Sequence, residues 1–503
     1  MTSINSDFMS QLALRSLGNS SNMMTQAMER LSTGKRVNSA ADDAAGLGIA
    51  TKLRAQVNSL NAATRNATDA LALIGTIDGA LEESGEILLR MRELAVQSAS
   101  DTNTGTDRSF IQDEINALNN ELNRISSSTE FNAVKLLDGT YNNKQIQIGT
   151  GANQVFNIGV TATDSSTLGA YELESTAEIT ASSGTANAAA AKTALTALLN
   201  DAADYTVKGS FGEATVKVDA GADARDVAKS FNLSAGTTGI NATAITKAQI
   251  TKLSHATTVS FTLQGKSTTA STVTGTITST TDLTALKDSI NSVSGSTGII
   301  ATLTSDKAGI NVTNDEGYDI FFGDLDTGGV DANLVINAME RDGTLDGTSR
   351  TLDGDATNGD SAGIIGQVIL SGDKPFTVTP GDAANHFSTG TASISSSLST
   401  VGSISIKTVS GATNAIAVLD GALSMISASR SKMGALQNRL NATVDNLSTI
   451  ITKTEQARSR VLDADMASET TALSKSQILQ QASTAMLAQA NQANQGVLQL
   501  LQA

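Results

Sequence analysis

The chain contains no cysteine and no tryptophan among its 503 residues, and it has only two histidines and two prolines. Without cysteine there is no disulfide framework and no thiolate metal site, and two histidines leave little for zinc chemistry. Aromatic residues make up only 3% of the chain, so the large anchors of compact enzyme cores are scarce. The prolines, Pro375 and Pro380, lie far from both ends and break no terminal helix.

Positive charge is also in short supply. The chain has 34 Lys and Arg residues against 50 Asp and Glu residues, for a formal net charge of −16. This balance opposes binding to nucleic acid or to anionic membranes. No basic segment followed by an apolar run begins the chain, and no stretch is apolar enough over about 20 residues to cross a bilayer. We therefore expect no cleavable secretory signal, no membrane insertion and no nucleic-acid partner.

Both ends of the chain have apolar residues at the spacing of a coiled-coil seam. Heptad steps near the N-terminus and a helical pattern in the uncharged stretch Gln477–Leu501 predict two seam-bearing helices. The predicted assembly seam consists of Leu14, Leu17, Met24, Met28, Leu31, Leu479, Met486 and Leu500. Burial of so few large side chains does not offset the entropy of ordering a helix, so each should fold only against a partner. The two seams suggest each other as partners, and a frayed end of a soluble domain is the alternative.

Two further helices and a hairpin are predicted next along the chain. Residues 53–100 carry two apolar stripes, which predict a helix packed on two sides. The first stripe includes Val57, Leu60, Ala67, Leu71, Ile74, Leu81 and Leu88, and the second includes Leu73, Ile77, Ala80, Ile87, Met91 and Leu94. A single stripe from Ile111 to Ile125 predicts another helix. The alternating runs Gln145–Gly149 and Gln154–Val160 predict a β-hairpin.

The composition changes near Asp164. From there to about Ser410 the chain is rich in Thr, Ser and Gly, with short alternating runs that predict strands. Two segments, Phe231–Thr243 and Ile290–Thr302, share Asn, Gly, Thr-Gly-Ile and Ala-Thr in register, and each follows a short helical stretch. They predict two related helix–turn–strand modules in a β-rich insert.

The most regular helical pattern starts at Thr413. Apolar residues there step by three and four as far as Ile451, with Arg430 in one of the gaps, and predict a helix of roughly 40 residues. A polar break around Arg458–Asp465 separates it from the C-terminal seam. The predicted fold class is α+β. It combines a long α-helical coiled coil or bundle, formed by the paired N- and C-terminal segments, with a small β-hairpin and a β-rich central insert.

Four stretches resemble the terminal motifs of bacterial flagellins: Leu31–Ala50, Met91–Ser100, Ser128–Gly139 and Ser476–Gln492. They match that family nearly word for word and in the right order. The resemblance covers roughly Met1–Val160 and Thr413–Ala503. It departs at the last residues, where the chain ends LLQA and many relatives end LLR.

The resemblance implies a secreted structural subunit that polymerises with itself into the flagellar filament. Its terminal helices would line the central channel and fold on assembly. The implied domains are 1–44 and 457–503 as filament-core helices, 45–170 as a helical domain with the hairpin, 171–408 as a variable outer insert of two modules, and 409–456 as the C-terminal long helix. Other implied partners are the flagellar export chaperone and the cap and hook-junction proteins. Unfolded export through the flagellar type III apparatus is consistent with the missing signal.

The resemblance also implies a surface that a vertebrate Toll-like receptor reads on free monomers. The matching positions are Arg90, Leu94 and Glu114. The residues by themselves predict something simpler, which is a charged helix face beside a core leucine.

The sequence predicts no enzyme, no cofactor and no metal site. His255 and His386 lack an HExxH pattern and are interpreted as surface or hydrogen-bonded histidines. In the acidic run Asp342–Asp360, Thr357 and Asn358 replace residues that an EF-hand needs, which favours a solvated turn. The Ser/Thr-rich insert could carry O-linked sugars, although composition selects no site.

Two alternatives stay open from the sequence. A hook–filament junction protein shares similar ends with a filament subunit. A secreted adhesin that displays the insert as a binding module would explain the Thr-rich strands.

Overall fold

A computed structural model describes residues 8–176, 178–182, 192, 204–330, 332–354, 361–381, 386–387 and 391–502. In the C-terminal helix, side chains are described as far as Gln489 and at Gln492. The chain divides into two compact units. The terminal unit comprises Met1–Ile74, Asn143–Ile158 and Ala435–Ala503, and the central unit comprises Gly75–Asn142 and Gly159–Gly434.

The helices of the described part include two that exceed 50 residues. In chain order they are α1 (Phe8–Thr33), α2 (Ala44–Ala99), α3 (Gly105–Ser128), α4 (Ala224–Leu233), α5 (Ala235–Thr238), α6 (Thr284–Ser292), α7 (Ser294–Thr297), α8 (Val409–Leu462) and α9 (Met466–Gln502). A 3₁₀ turn at Val401–Ser403 precedes α8.

The strands before α4 are β1 (Glu130–Phe131), β2 (Val134–Lys135), β3 (Lys144–Gln147), β4 (Val155–Ile158), β5 (Gly169–Glu174), β6 (Glu178–Ser182), β7 (Asp204–Lys208) and β8 (Glu213–Lys217). Between α5 and α8 lie β9 (Ile240–Thr251), β10 (Thr258–Gln264), β11 (Ser271–Thr276), β12 (Ile300–Leu303), β13 (Gly309–Asn314), β14 (Ile320–Asp326), β15 (Asn333–Met339), β16 (Leu345–Asp353), β17 (Ser361–Ile365), β18 (Gln367–Gly372), β19 (Thr377–Pro380), β20 (Ile394–Ser395) and β21 (Ser397–Thr400).

The two predicted stripes of α2 are confirmed, because every member is buried or half-buried. In the terminal unit, Leu60 and Ala63 of α2 pack with Leu447 of α8. The predicted hairpin is also confirmed, with β3 and β4 antiparallel and Gln145 opposite Asn157.

Helix α8 is longer than predicted. It has 54 residues, and only three residues separate it from α9. Its polar end continues as a helix because residues 452–462 contain good helix formers and neither Gly nor Pro. Within the described part, α8 alone is long and apolar enough to cross a membrane by length and composition, a test that a core helix also passes. Leu419 and Leu440 are fully buried in the protein, which favours a core helix.

Antiparallel sheets form most of the central unit. The described strands form sheets in the orders β11-β10-β14-β17-β6, β12-β13-β9-β18-β5-β21 and β20-β19-β7-β8, with β15 joined to β9 and β16 to β15. Strand β9 pairs with β18 through its first half and with β13 and β15 through its second half. Two apolar cores result, one around Phe261 and Phe322 and the other around Tyr205 and Phe231.

The two predicted modules are confirmed, and one asparagine closes each of them. The Asn232 side chain donates to the Ala242 carbonyl and accepts from the Ala242 N–H, both at 2.8 Å. Asn291 makes the same two bonds with Ala301, at 2.9 and 2.8 Å. Each asparagine therefore ties the end of a helix to the strand that follows.

The repeated unit is larger than the sequence motif indicates. Gly239 and Gly298 end α5 and α7 with φ values of 74° and 70°, a region that favours glycine. Each module is preceded by a hairpin, β7 with β8 or β10 with β11, that begins its turn with Gly209 or Gly265. A Cβ at either glycine would overlap a main-chain carbonyl of its own module. The sequence motif does not include the hairpins, because the two hairpins share only these glycines and alternating apolar residues.

Candidate assembly surface on the terminal helices

Helices α1 and α9 lie side by side and antiparallel in the terminal unit. The Ser16 and Ser483 hydroxyls are 3.2 Å apart, and Arg30 Nη1 lies 3.3 Å from Glu469 Oε1. The expectation that the two ends of the chain pair with each other is therefore confirmed.

The chain crosses itself where these helices meet. The Arg36 N–H donates to the Leu462 carbonyl at 2.6 Å, and the Ala464 N–H donates to the Gly34 carbonyl at 3.0 Å. Gly34 has a φ of 69°, which lets α1 end there without strain. These main-chain bonds hold the C-terminal end of α1 beside the N-terminal end of α9.

A carboxylate organises the loop between α1 and α2. Asp42 accepts the N–H groups of Asn38 and Ser39 and the Ser39 hydroxyl, and Gln26 donates to its other oxygen. These bonds, first those from Ser39, lower the pKa of Asp42 to about 2. The loop is thus held by a carboxylate that stays ionised.

Small residues occupy the fully buried positions between α1 and α9. These positions lie three or seven residues apart on α1 and seven apart on α9, so the two rows face one another. They are Ser10, Ala13, Ser20 and Ala27 on α1, and Ser476 and Ser483 on α9. Small residues let two helices approach closely, but they bury little apolar area.

Eight large apolar side chains of α1 and α9 face away from this interface. We call them the outward surface: Phe8, Leu12, Leu14, Met23 and Met28 on α1, and Ile478, Leu479 and Met486 on α9. Their exposed fractions range from 38% at Leu479 to 70% at Phe8. An exposed apolar surface on this scale is typical of an interaction site.

The predicted seam is divided between these two surfaces. Leu17, Met24 and Leu31 are half-buried at the interface between the helices. On the outward surface lie Leu14, Met28, Leu479 and Met486, which therefore do not pair within the chain. The side chain of Leu500 lies outside the described part. Sequence periodicity favoured the largest apolar residues as the internal seam, whereas the close approach of the helices selects Ser and Ala.

The predicted receptor residues divide in a similar way. Arg90 donates to Glu114 at 2.9 Å and to Glu93 at 3.0 Å, and all three side chains are exposed. The bond to Glu114, followed by the bond to Glu93, raises the pKa of Arg90. Leu94 is only 2% exposed, so it is a core leucine, as the simpler interpretation predicted. It therefore offers no surface of its own.

The two histidines have different surroundings. His255 is exposed beside Ser254, whereas His386 is buried and its pKa is lowered to about 4 by desolvation. His386 is therefore the hydrogen-bonded histidine of that interpretation, with a bond to the main chain of Ala222, and His255 is the surface one. Among the residues that the structure describes, no three His, Asp or Glu side chains are grouped to hold a metal ion. Thr357 and Asn358 of the acidic run lie outside the described residues.

Both ends of the chain match family models. Residues 4–142 match the bacterial flagellin N-terminal helical region, and residues 416–501 match the bacterial flagellin C-terminal helical region. B-type flagellin of Pseudomonas aeruginosa is 36% identical over 501 residues, or 99% of each chain. A flagellin of Clostridium tyrobutyricum is 34% identical over 497 residues, covering 98% of this chain and 100% of that one. Flagellin C of Vibrio anguillarum is 30% identical over 500 residues, covering 99% of both.

These matches define a class of structural proteins, the self-assembling subunits of a helical filament. The chain belongs to the bacterial flagellin family. It is a subunit of the flagellar filament that drives swimming, and its place is the flagellum outside the cell. The flagellin names of its full-length relatives fit this function better than that of a hook–filament junction protein.

Proposed function

We propose that the pair of α1 and α9 is the part of the subunit that neighbouring copies cover, and that it folds as they assemble. The observation that carries this proposal is the distribution of side chains. Small residues fill the fully buried positions between the two helices, while many of the large apolar residues lie on the outward surface. A helix pair of this kind gains most of its apolar burial from other molecules.

The energetics favour folding on assembly. Burial of one large apolar side chain contributes about 1.5–3 kcal/mol, and on the outward surface that contribution is absent from an isolated chain. Each copy presents the same surface to a different surface of its neighbour, so the contact does not close and a helical polymer results. Assembly then supplies the free energy that ordering both helices requires.

The domain division belongs to the same proposal. Residues 1–44 and 457–503 would form the filament core, 45–170 and 409–456 the helical domain, and 171–408 the outer insert. The inner boundary lies near two breaks between helices, the loop that ends where α2 begins at Ala44 and the break after α8, although residue 457 is still within α8. Both modules and the strands from β6 to β21 lie within the insert range, and β5 crosses its first residue.

Further partners follow from the same surfaces. Before export, the outward surface of α9 would need a cover, which an export chaperone could provide. We also propose secretion of the unfolded chain through the flagellar export apparatus, contact with cap and hook-junction proteins at the filament ends, and no catalytic role. The exposed pair of Arg90 and Glu114 is the proposed contact for a vertebrate Toll-like receptor on free monomers.

A deletion and a point substitution test the assembly proposal. The chain cut after Gln477 should stay folded in its central unit, as seen by circular dichroism, and should form no filaments by electron microscopy. Met486→Gln should also reduce polymer yield because it places an amide where a neighbour requires an apolar group. Met486→Leu is the matched control and should polymerise like the parent. Filaments from the shortened chain would contradict the proposal.

A further inference from the structure

We infer that the ion pair of Arg30 and Glu469 sets the register in which α1 and α9 pair. This inference rests on the proposed function, which makes the helix pair the assembling part of the subunit. In this sense the two residues are positioning residues for assembly, and they need not contact a neighbouring copy.

The rest of the interface specifies its register poorly. Ser20 and Ala27 lie one heptad apart on α1, and Ser476 and Ser483 lie one heptad apart on α9. A shift of one heptad therefore brings small residues opposite small residues again and changes the apolar contacts little. The half-buried Leu17, Met24 and Leu31 also lie one heptad apart, so the same shift replaces one large apolar side chain by another.

The ion pair does distinguish the registers. Among the described residues it is the one salt bridge between α1 and α9, and the side chains of Arg30 and Glu469 are only 25% and 12% exposed. In the antiparallel register that joins Ser16 to Ser483, a shift of one heptad would place Glu469 opposite Met23 or Val37. That shift would leave a mostly buried carboxylate without its cation, which is costly.

Two other features of the helix pair do not select one register over another. The crossing of the chain near Gly34 and Ala464 consists of main-chain bonds and one bond from the Arg36 guanidinium to the Val461 carbonyl at 2.8 Å. Its acceptors are main-chain carbonyls, which every residue offers. Arg30 lies in the last turn of α1 and Glu469 in the first turn of α9, so each charge also suits its own helix dipole. The interaction of each charge with its own helix dipole stabilises that helix end in any register. The two charges can pair with each other in only one register.

Engineered cysteines can read the register directly because the chain has no cysteine of its own. Ser16→Cys with Ser483→Cys should form a disulfide in the observed register. Ser16→Cys with Ser476→Cys, and Met23→Cys with Ser483→Cys, report a shift of one heptad in either direction. Each pair is oxidised in polymer grown from the full chain. In the Glu469→Gln background, the ratio of in-register to shifted disulfide should fall at least about tenfold.

The matched control removes an ion pair that lies within a single helix. Glu455→Gln breaks the contact with Arg458 within α8 and should leave the disulfide ratio unchanged. An unchanged ratio in Glu469→Gln polymer overturns the inference, while the proposed assembly function would stand because the polymer formed.

Charge reversal covers the case in which Glu469→Gln does not polymerise. Arg30→Glu and Glu469→Arg alone should each lose the in-register disulfide, and the double reversal should regain it above either single variant. A double variant no better than the singles overturns the inference. Filaments from the chain cut after Gln477 would instead overturn the proposed function, so the two failures are distinguishable.

Discussion

Arg430 of α8 donates through Nε to the Oδ1 of Asp78 on α2 at 3.0 Å. Its guanidinium also lies 3.5 Å from the carboxylate of Glu82. The sequence placed Arg430 in a gap of an otherwise apolar pattern, and these contacts account for it. One cation on α8 pairs with two carboxylates on α2, so within the central unit the two helices are joined by charge as well as by apolar packing.

Asp78→Asn should lower the free energy of unfolding by about 0.5–1 kcal/mol, because both side chains are partly exposed and water weakens the pair. Urea unfolding of the monomeric protein measures this change in free energy. Glu82→Gln is the control. Its carboxylate is 61% exposed and more distant, so the change should stay within about 0.5 kcal/mol. A larger effect from Glu82→Gln than from Asp78→Asn would contradict this assignment.

The asparagine of each module should matter equally. Asn232→Ala and Asn291→Ala each remove two hydrogen bonds and should destabilise their module by about 1–2 kcal/mol. Hydrogen exchange at the Ala242 and Ala301 amides should accelerate only in the module that is altered. Exposed Asn241 serves as the control, since Asn241→Ala should leave both amides protected.

Acid should loosen the loop between α1 and α2. The pKa of Asp42 is lowered from 3.8 to about 2 in the folded protein, so its stabilising contribution is complete above pH 3.8 and is lost as the pH falls towards 2. Protection of the Asn38 and Ser39 amides should decline over that window. Asp42→Asn should abolish the decline by removing the titrating group. Persistent protection of both amides at pH 2 would show that the carboxylate does not hold the loop.

Substitutions at Leu94 and Arg90 should distinguish a loss of stability from a loss of receptor recognition. Leu94→Ala removes a core side chain and should cost about 2–5 kcal/mol, weakening assembly and receptor activation together. Arg90→Ala removes an exposed charge, so it should reduce receptor activation by purified monomer with little change in unfolding. Full signalling by the Arg90→Ala monomer would count against the proposed receptor contact.

Periodicity predicted much of the fold because it records burial. The stripes of α2, the hairpin of β3 and β4, and the two modules each follow from apolar residues at helical or alternating steps. The same signal misled at α1 and α9. There the spacing predicts internal contacts for Leu14 and Met486, whereas Ser20 and Ser483 make them. Serine and alanine carry almost no hydropathy signal, so a helix interface built from them is nearly invisible in a sequence.

The sequence also does not predict the register of α1 and α9 or which residues far apart along the chain form pairs. No spacing rule places Arg30 next to Glu469, because the residues are separated by almost the whole chain and meet only through the tertiary fold. The full extent of the repeated module was missed for a related reason, since Gly209 and Gly265 are needed for a close approach that only coordinates display.

The pairing of α1 with α9 has a consequence for how defective copies are excluded. Under the proposed assembly, both helices must come from one molecule, although almost the whole sequence separates them. A copy that loses either helix to a premature stop or to a protease keeps a single unmatched helix. Incorporation into the growing fibre would therefore reject such a copy, because it tests for both helices in a single step.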